Sequence, residues 1–111
     1  MISPAANQKV YLAIQSIDCR KGIDGLAALC KTQWSLDPFS GHYFIFRNRR
    51  ARAIKILIYD SSGFWLCYKR LSTGKFNWPK TTASIVLLDL AQLKILLNDN
   101  STNAPWQLVE P

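Results

Sequence analysis

The sequence lacks the residue patterns that most metal centres and disulfide frameworks require. It contains a single histidine, His42, and three widely spaced cysteines with no C-x-x-C pair. Zinc sites and disulfide scaffolds use closely or regularly spaced ligands, so we expect reduced, mostly packed thiols and no metal or other cofactor. His42 stands just before a strand-like segment, where the simpler prediction for a lone histidine is a structural hydrogen bond.

Long apolar runs and a secretory leader are also missing. The longest apolar stretches, such as SIVLLDL at 84–90, are far shorter than the roughly 20 residues of a membrane-spanning helix. The first ten residues show no basic start followed by an apolar stretch. We therefore expect a cytoplasmic protein without a membrane partner, and 111 residues suffice for one domain with a buried core.

Acidic residues are few, and their positions do not indicate a catalytic centre. Two-metal phosphoryl chemistry needs carboxylates that converge on ions about 4 Å apart. The first five of the seven acidic residues stand where turns or helix starts are predicted, which explains them without catalysis. We therefore expect a protein that is not an enzyme and has no catalytic residues. The acidic residues are Asp18, Asp24, Asp37, Asp60, Asp89, Asp99 and Glu110.

Positive charge, in contrast, is concentrated in one part of the chain. The whole sequence has a formal net charge of +7, while residues 47–80 contain nine lysines and arginines against Asp60 alone, which gives +8. Its densest part is RNRRAR at 47–52. A localised positive field of this kind favours a polyanion as the partner, with nucleic acid ahead of an acidic protein and an anionic lipid third.

Hydrophobic periodicity predicts a small α+β domain. Strand-like segments occupy 9–14, 42–47, 53–60, 64–70 and 83–88, and helical spacing covers 23–34. Asp89 and Gln92 form a capping-box pattern before a second helix whose apolar face is Leu90, Leu93, Ile95, Leu96 and Leu97. The prediction is a single domain over 1–97, with a mainly antiparallel sheet of four or five strands and two helices. Residues 98–111 form a tail, ordered only if Trp106 finds a pocket.

Two short connections are predicted at opposite ends of the central strand. RNRRAR joins 42–47 to 53–60, and DSSG at 60–63 forms a tight turn in which Gly63 would take a positive φ. Side-chain alternation puts Ile54, Ile56 and Ile58 on one face of this strand, which we expect to take the helices. The other face mixes lysine with aromatics, so we expect it to be half exposed.

Several motifs resemble one known family. They are RKGIDGLA at 20–27, DPFSGHYFIFRNRR at 37–50, IKIL at 54–57, GFWLCYKRLSTGKFNWP at 63–79 and AQLKILL at 91–97. In this order they resemble the small accessory proteins, called TnpB, of bacterial transposons of the insertion-sequence-66 type, most strongly over 18–79. The resemblance implies a part in transposition beside a separate transposase, and it supplies no catalytic residues.

The predicted function combines this resemblance with the charge pattern. We predict an accessory protein that binds nucleic acid, with DNA expected, within a transposase complex; alternatively, the same basic patch docks on the transposase without binding DNA. Arginine is favoured over lysine for this role because its planar fork holds phosphate or carboxylate bidentately. Trp65, Tyr68 and Trp78 are candidates for stacking on bases or are core, and Arg20 and Lys21 are a second phosphate contact or a solvated helix entry. The main predicted contacts are Arg47, Arg49, Arg50, Arg52, Lys55, Lys69 and Arg70.

Overall fold

The computed structural model describes residues 4–98, which form one five-stranded sheet and two helices. The predicted α+β class is confirmed, and each predicted strand or helix lies within about two residues of an observed one. The elements in chain order are β1 (Val10–Ala13), α1 (Ile23–Trp34), β2 (Tyr43–Arg47), β3 (Ala53–Tyr59), β4 (Phe64–Arg70), β5 (Ile85–Leu88) and α2 (Leu90–Asn98).

The sheet is mostly antiparallel, with one parallel pair inside it. Its strand order is β4-β3-β2-β1-β5, so β4 and β5 are the edges within the described part of the chain. β1 and β2 run parallel, with Val10 opposite Tyr43, and the other neighbouring pairs are antiparallel. Parallel neighbours need a crossover connection, and α1 lies in the connection between these two strands.

Both faces of the sheet are apolar, and each is covered by one helix. Ile54 and Ile56 of β3 share a buried cluster with Leu93 of α2. Leu57, which directly follows Ile56 on β3, belongs to a second cluster with Leu26 of α1. The prediction that one face takes both helices is therefore wrong, because alternation along the central strands makes both faces apolar and each needs its own cover. We refer to them as the α1 face and the α2 face.

The second helix begins with the predicted capping box. The Asp89 N–H donates to Gln92 Oε1 at 2.9 Å, and the Gln92 N–H donates to Asp89 Oδ1 at 2.8 Å. Each residue thus satisfies a backbone donor of the other. The predicted apolar face is wrong at one position, because Leu90 is 48% exposed whereas Leu93 is buried.

The turn at 60–63 differs from its prediction. The left-handed residue is Ser61, with φ 76°, and Gly63 does not have a positive φ. Asp60 Oδ1 accepts the N–H groups of Ser62 and Gly63, both at 3.1 Å. A carboxylate that binds these two amides fixes the turn around itself, so the strained position falls on the residue directly after Asp60.

Two further predictions concern membrane-spanning helices and the C-terminal tail. No helix within residues 4–98 is long and apolar enough to cross a membrane. The predicted tail, from residue 99 onward and including Trp106, lies outside the described residues, so the predicted domain boundary at 97 stays a prediction.

Candidate nucleic-acid interface

The connection between β2 and β3 is a tight hairpin held together by Asn48. Its Oδ1 accepts the backbone N–H of Arg52 at 2.9 Å and of Ala53 at 3.2 Å. Ala51 takes a left-handed φ of 55° and is buried. The asparagine side chain thereby replaces backbone acceptors at the turn, as this residue type commonly does. We call residues 47–52 the arginine hairpin.

Arg49 and Arg50 are at the tip of the arginine hairpin. Both side chains are exposed, and neither forms an ion pair with any of residues 4–98. Because Asn48 and Ala51 make the contacts that fold the turn, the two arginines are not needed to hold it together. Their guanidinium groups are therefore available to an external anion.

Arg47 differs from the tip residues because its guanidinium group binds the protein itself. Its Nε donates to the Ile14 carbonyl at 3.0 Å, and its Nη1 donates to the Arg49 carbonyl at 3.1 Å. Its Cζ lies 5.8 Å from the ring centroid of Trp78. Burial lowers the pKa of Arg47 from its ordinary value, yet arginine remains charged at neutral pH. Arg47 thus anchors the hairpin and still contributes positive charge.

A cleft of about 390 Å³ lies between the arginine hairpin and the loop that follows β4. The loop is bonded to the hairpin by the Phe76 N–H, which donates to the Ala51 carbonyl at 2.7 Å. This contact brings Lys75 and Lys80 to the same cleft as the arginines. We call this feature the cationic cleft, and its charged lining residues are Arg47, Arg49, Arg50, Lys75 and Lys80.

The predicted contacts do not include Lys75 and Lys80, although the charge count over 47–80 does. Both lie more than twenty residues after the arginine hairpin, and only the folded loop brings them beside it. The available signal was the charge count over 47–80, which included both lysines. Arg52, in contrast, was predicted as a contact and is exposed, but it does not line the cleft.

A second group of predicted contacts lies on the α1 face. Lys55 Nζ donates to the Lys21 carbonyl at 2.9 Å and lies 5.8 Å from the ring centroid of Tyr68. The Tyr68 side chain is 56% exposed, and Arg70 follows it two residues later on the same face of β4. This group therefore places an exposed aromatic ring among cations, which is the combination that stacks on unpaired bases.

Arg20 is the predicted contact with an internal counter-charge. It forms the only ion pair within residues 4–98, with 2.9 Å between Arg20 Nη2 and Asp18 Oδ2. The hydrogen bond from Arg20 lowers the pKa of Asp18 to about 2. Both groups are exposed, so the pair contributes little to stability. The positive charge of Arg20 is thus offset locally, whereas the charges of the cationic cleft are not.

Of the remaining predicted residues, Lys69 and Trp65 do not line the cationic cleft, whereas Trp78 does. Lys69 points to the α2 face and donates to the Leu97 carbonyl near the end of α2, where cations are favourable. Trp65 lies near the 60–63 turn, and its indole N–H donates to Asp60 Oδ2 at 2.7 Å. The indole N–H of Trp78 donates to the Ala13 carbonyl at 2.9 Å, and its ring is half buried. The three predicted stacking residues thus occupy separate places.

His42 and Cys30 both have structural roles in the fold. His42 Nδ1 accepts the Lys9 N–H at 2.9 Å, which confirms the predicted hydrogen bond at the start of the strand. Cys30 is buried, and burial raises its thiol pKa to about 12. Within residues 4–98 there is no group of three or more histidine, cysteine or acidic side chains that could hold a metal ion.

Comparisons with known proteins found one matching family and two similar relatives. The model of the family described as "IS66 Orf2 like protein" matches residues 8–106. "Uncharacterized protein y4hO" of Sinorhizobium fredii is 31% identical over 111 residues, which are 100% of this chain and 96% of that protein. "Uncharacterized protein y4jC" of the same organism is 37% identical over 79 residues, which are 71% of this chain and 68% of that protein. No solved structure matches the chain.

Proposed function

Because the chain belongs to the IS66 Orf2-like family, as its motifs predicted, we propose that it is a non-catalytic accessory protein of a transposable element that binds DNA through the cationic cleft. The family places it among transposon accessory proteins. Within a transposase complex, such a protein would hold the element's DNA and leave strand cleavage to the transposase.

The observation that carries this proposal is the uncompensated charge of the cationic cleft. Five cationic side chains line it, and none of them pairs with a carboxylate of residues 4–98. Cationic side chains that line one cleft repel each other, so the arrangement is most stable when an anion lies between them. A phosphate backbone supplies closely and regularly spaced negative charges.

The kind of contact follows from the side chains present. Arg49 and Arg50 offer planar forks that bind phosphate oxygens bidentately, whereas Lys75 and Lys80 act as point charges on the opposite wall. The hairpin and the loop that line the cleft contain no helix that could read base edges in the major groove. The expected binding is therefore directed at the backbone and depends weakly on DNA sequence.

The group on the α1 face would provide a second contact. Lys55 Nζ lies 5.8 Å from the ring centroid of the exposed Tyr68, and Arg70 is on the same face of β4, so this group is suited to an unpaired base beside a phosphate. This group and the cationic cleft lie on opposite faces of the sheet at β3. One strand of nucleic acid would therefore have to pass around the end of the sheet to reach both.

Three of the five acidic residues within 4–98, Asp18, Asp60 and Asp89, have structural partners, which supports binding without catalysis. Asp18 pairs with Arg20, Asp60 binds the amides of its own turn and Trp65, and Asp89 caps α2. Each of these three carboxylates has a structural partner at a different place in the fold. None of the three lines the cationic cleft.

Charge-matched variants test the proposal directly. Arg49→Ala combined with Arg50→Ala removes two charges from the cleft, and Lys31→Ala combined with Lys94→Ala removes two exposed charges from the helices. Fluorescence anisotropy of labelled duplex and single-stranded DNA is expected to show about tenfold weaker binding for the arginine variant and little change for the lysine variant. Equal losses would mean that only net charge matters and that the cleft is not the site.

The alternative, docking on acidic residues of the transposase, gives a different result in the same experiment. If the protein binds its transposase tightly and has no measurable affinity for DNA at low salt, the arginine hairpin binds carboxylates and the proposal fails. If the arginine variant loses DNA affinity but keeps transposase binding, the two partners use separate surfaces.

A further inference from the structure

The edge strand β4 has an open hydrogen-bonding side in the described part of the chain. β4 is seven residues long and pairs with β3 on one side only. Natural proteins usually protect such an edge with a short strand, a proline, a bulge or a covering loop. β4 has no proline and pairs in continuous register with β3 along its whole length, so its outer side is a suitable template for another strand.

The register with β3 identifies which groups face outward. The Asp60 N–H donates to the Gly63 carbonyl at 3.0 Å, and the Leu71 N–H donates to the Arg52 carbonyl at 2.9 Å. Hydrogen-bonded pairs alternate along an antiparallel ladder, so the odd-numbered residues of β4 bond to β3. The N–H and C=O groups that point away from the sheet belong to Phe64, Leu66, Tyr68 and Arg70.

The side chains of β4 are also unusual for a protected edge. Trp65 is 62% exposed and Tyr68 is 56% exposed, and both are on this strand. Lys69 and Arg70 are present, but only at one end of it. An edge defended by charge would carry cations along its length, whereas here one end is aromatic and the other cationic.

We propose that β4 pairs antiparallel with β4 of a second copy of this chain, centred on Cys67. This register pairs all seven residues and gives about eight inter-chain hydrogen bonds. It sets Lys69 opposite Trp65 and Arg70 opposite Phe64 of the second copy, so cations face aromatic rings and no cation faces another. Cation–aromatic pairs are attractive, and a two-fold axis forms each of them twice.

The same register explains an apolar groove beside the strand. A groove of about 250 Å³ on the α2 face is lined by Ile54, Ile56, Cys67 and Leu97, with Lys69 at its rim. Trp65 lies on this face too, but near the opposite end of β4. The two-fold axis brings Trp65 of the second copy next to Lys69, where its exposed ring would cover the groove of the first copy.

Sedimentation equilibrium tests the pairing. The wild-type protein is expected to show a concentration-dependent mass approaching twice 12.6 kDa. Trp65→Ala should raise the dimer dissociation constant at least about tenfold, while Leu90→Ala, which removes an exposed apolar side chain from α2, should leave it unchanged. Tyr68→Pro removes an outward N–H that β3 does not use, so it should abolish the dimer while the circular dichroism of the monomer is retained.

Cross-linking tests the register. A variant with Cys19→Ser and Cys30→Ala keeps Cys67 as its one thiol. With oxidised glutathione, two Cys67 thiols would form one disulfide and release two molecules of reduced glutathione. The central pair is of the non-hydrogen-bonded type, whose Cα separation of about 4.5 Å permits this bond. A matched variant that keeps Cys19 in place of Cys67 should remain uncross-linked.

A wild-type protein that is monomeric at every concentration overturns the proposal, as does a dimer that survives both Trp65→Ala and Tyr68→Pro. A dimer that does not cross-link through Cys67 overturns the register. Two chains of charge +7 repel each other, so added salt should strengthen the dimer. Since added salt weakens DNA binding, the failure of either proposal can be distinguished from failure of the other.

Discussion

Replacing Asn48 with alanine is expected to loosen the arginine hairpin without changing the charge of the protein. The Asn48 side chain accepts two backbone N–H groups, from Arg52 and Ala53, at 2.9 and 3.2 Å. Alanine offers no acceptor at this position. All four arginines of the hairpin remain in the variant, so it separates the geometry of the cleft from its charge.

The size of the effect follows from these two hydrogen bonds. The Arg52 N–H is exposed and can bind water, whereas the Ala53 residue is buried, so its N–H loses an acceptor that water replaces poorly. Together the losses amount to about 2 kcal/mol. For a chain of 111 residues, an unfolding entropy of about 2.1 cal/mol/K per residue converts this loss into a Tm about 9 °C lower.

Urea and thermal unfolding measure the stability, and DNA anisotropy measures the consequence for binding. Asn48→Asp is the matched control for stability, because a carboxylate oxygen can accept both N–H groups. We expect Asn48→Ala to bind DNA more weakly than the wild type although both have the same net charge. If Asn48→Ala unfolds within about 0.5 kcal/mol of the wild type, the side chain does not hold the turn.

Three further predictions concern the scaffold. Asp89→Ala should lower the free energy of unfolding by about 1 kcal/mol in urea titration, because the capping box of α2 is lost, and Asp89→Asn should retain most of it. Leu26→Ala should cost about 2–5 kcal/mol, since this side chain is fully buried between α1 and the sheet; a cost below 1 kcal/mol would contradict the packing. Burial lowers the pKa of His42 below 6.5, so the unfolded chain binds a proton at this residue more readily than the folded chain. The free energy of unfolding should therefore fall as the pH drops below about 6.5. His42→Asn can accept the same hydrogen bond from Lys9 without titrating, so this variant should show a flatter pH dependence.

Local sequence patterns predicted most of the elements. Alternating apolar residues marked β3 and β4, and helical spacing gave the bounds of α1, because these signals depend on neighbouring residues. The assignment of helices to faces was wrong because it depends on how both sides of the whole sheet are covered. The positive φ at Ser61 was missed because it results from a specific bond pattern made by Asp60.

The candidate site was predictable in charge but not in geometry. The density of arginine at 47–52 indicated the hairpin, yet no sequence pattern distinguishes Arg47, which binds backbone carbonyls, from Arg49 and Arg50, which are exposed. Lys75 joins the cleft through the bond between Phe76 and Ala51, which is a long-range contact. Such contacts are set by the folded loop, and periodicity does not encode them.

The salt dependence of DNA binding is the most direct test of the claim that the cationic cleft binds a phosphate backbone. The logarithm of the binding constant should fall linearly with the logarithm of the salt concentration. Arg49→Ala combined with Arg50→Ala should reduce the magnitude of that slope by about 1.4 to 1.8, which corresponds to two phosphates no longer neutralised. A slope that is the same in the wild type and in this variant would contradict the account.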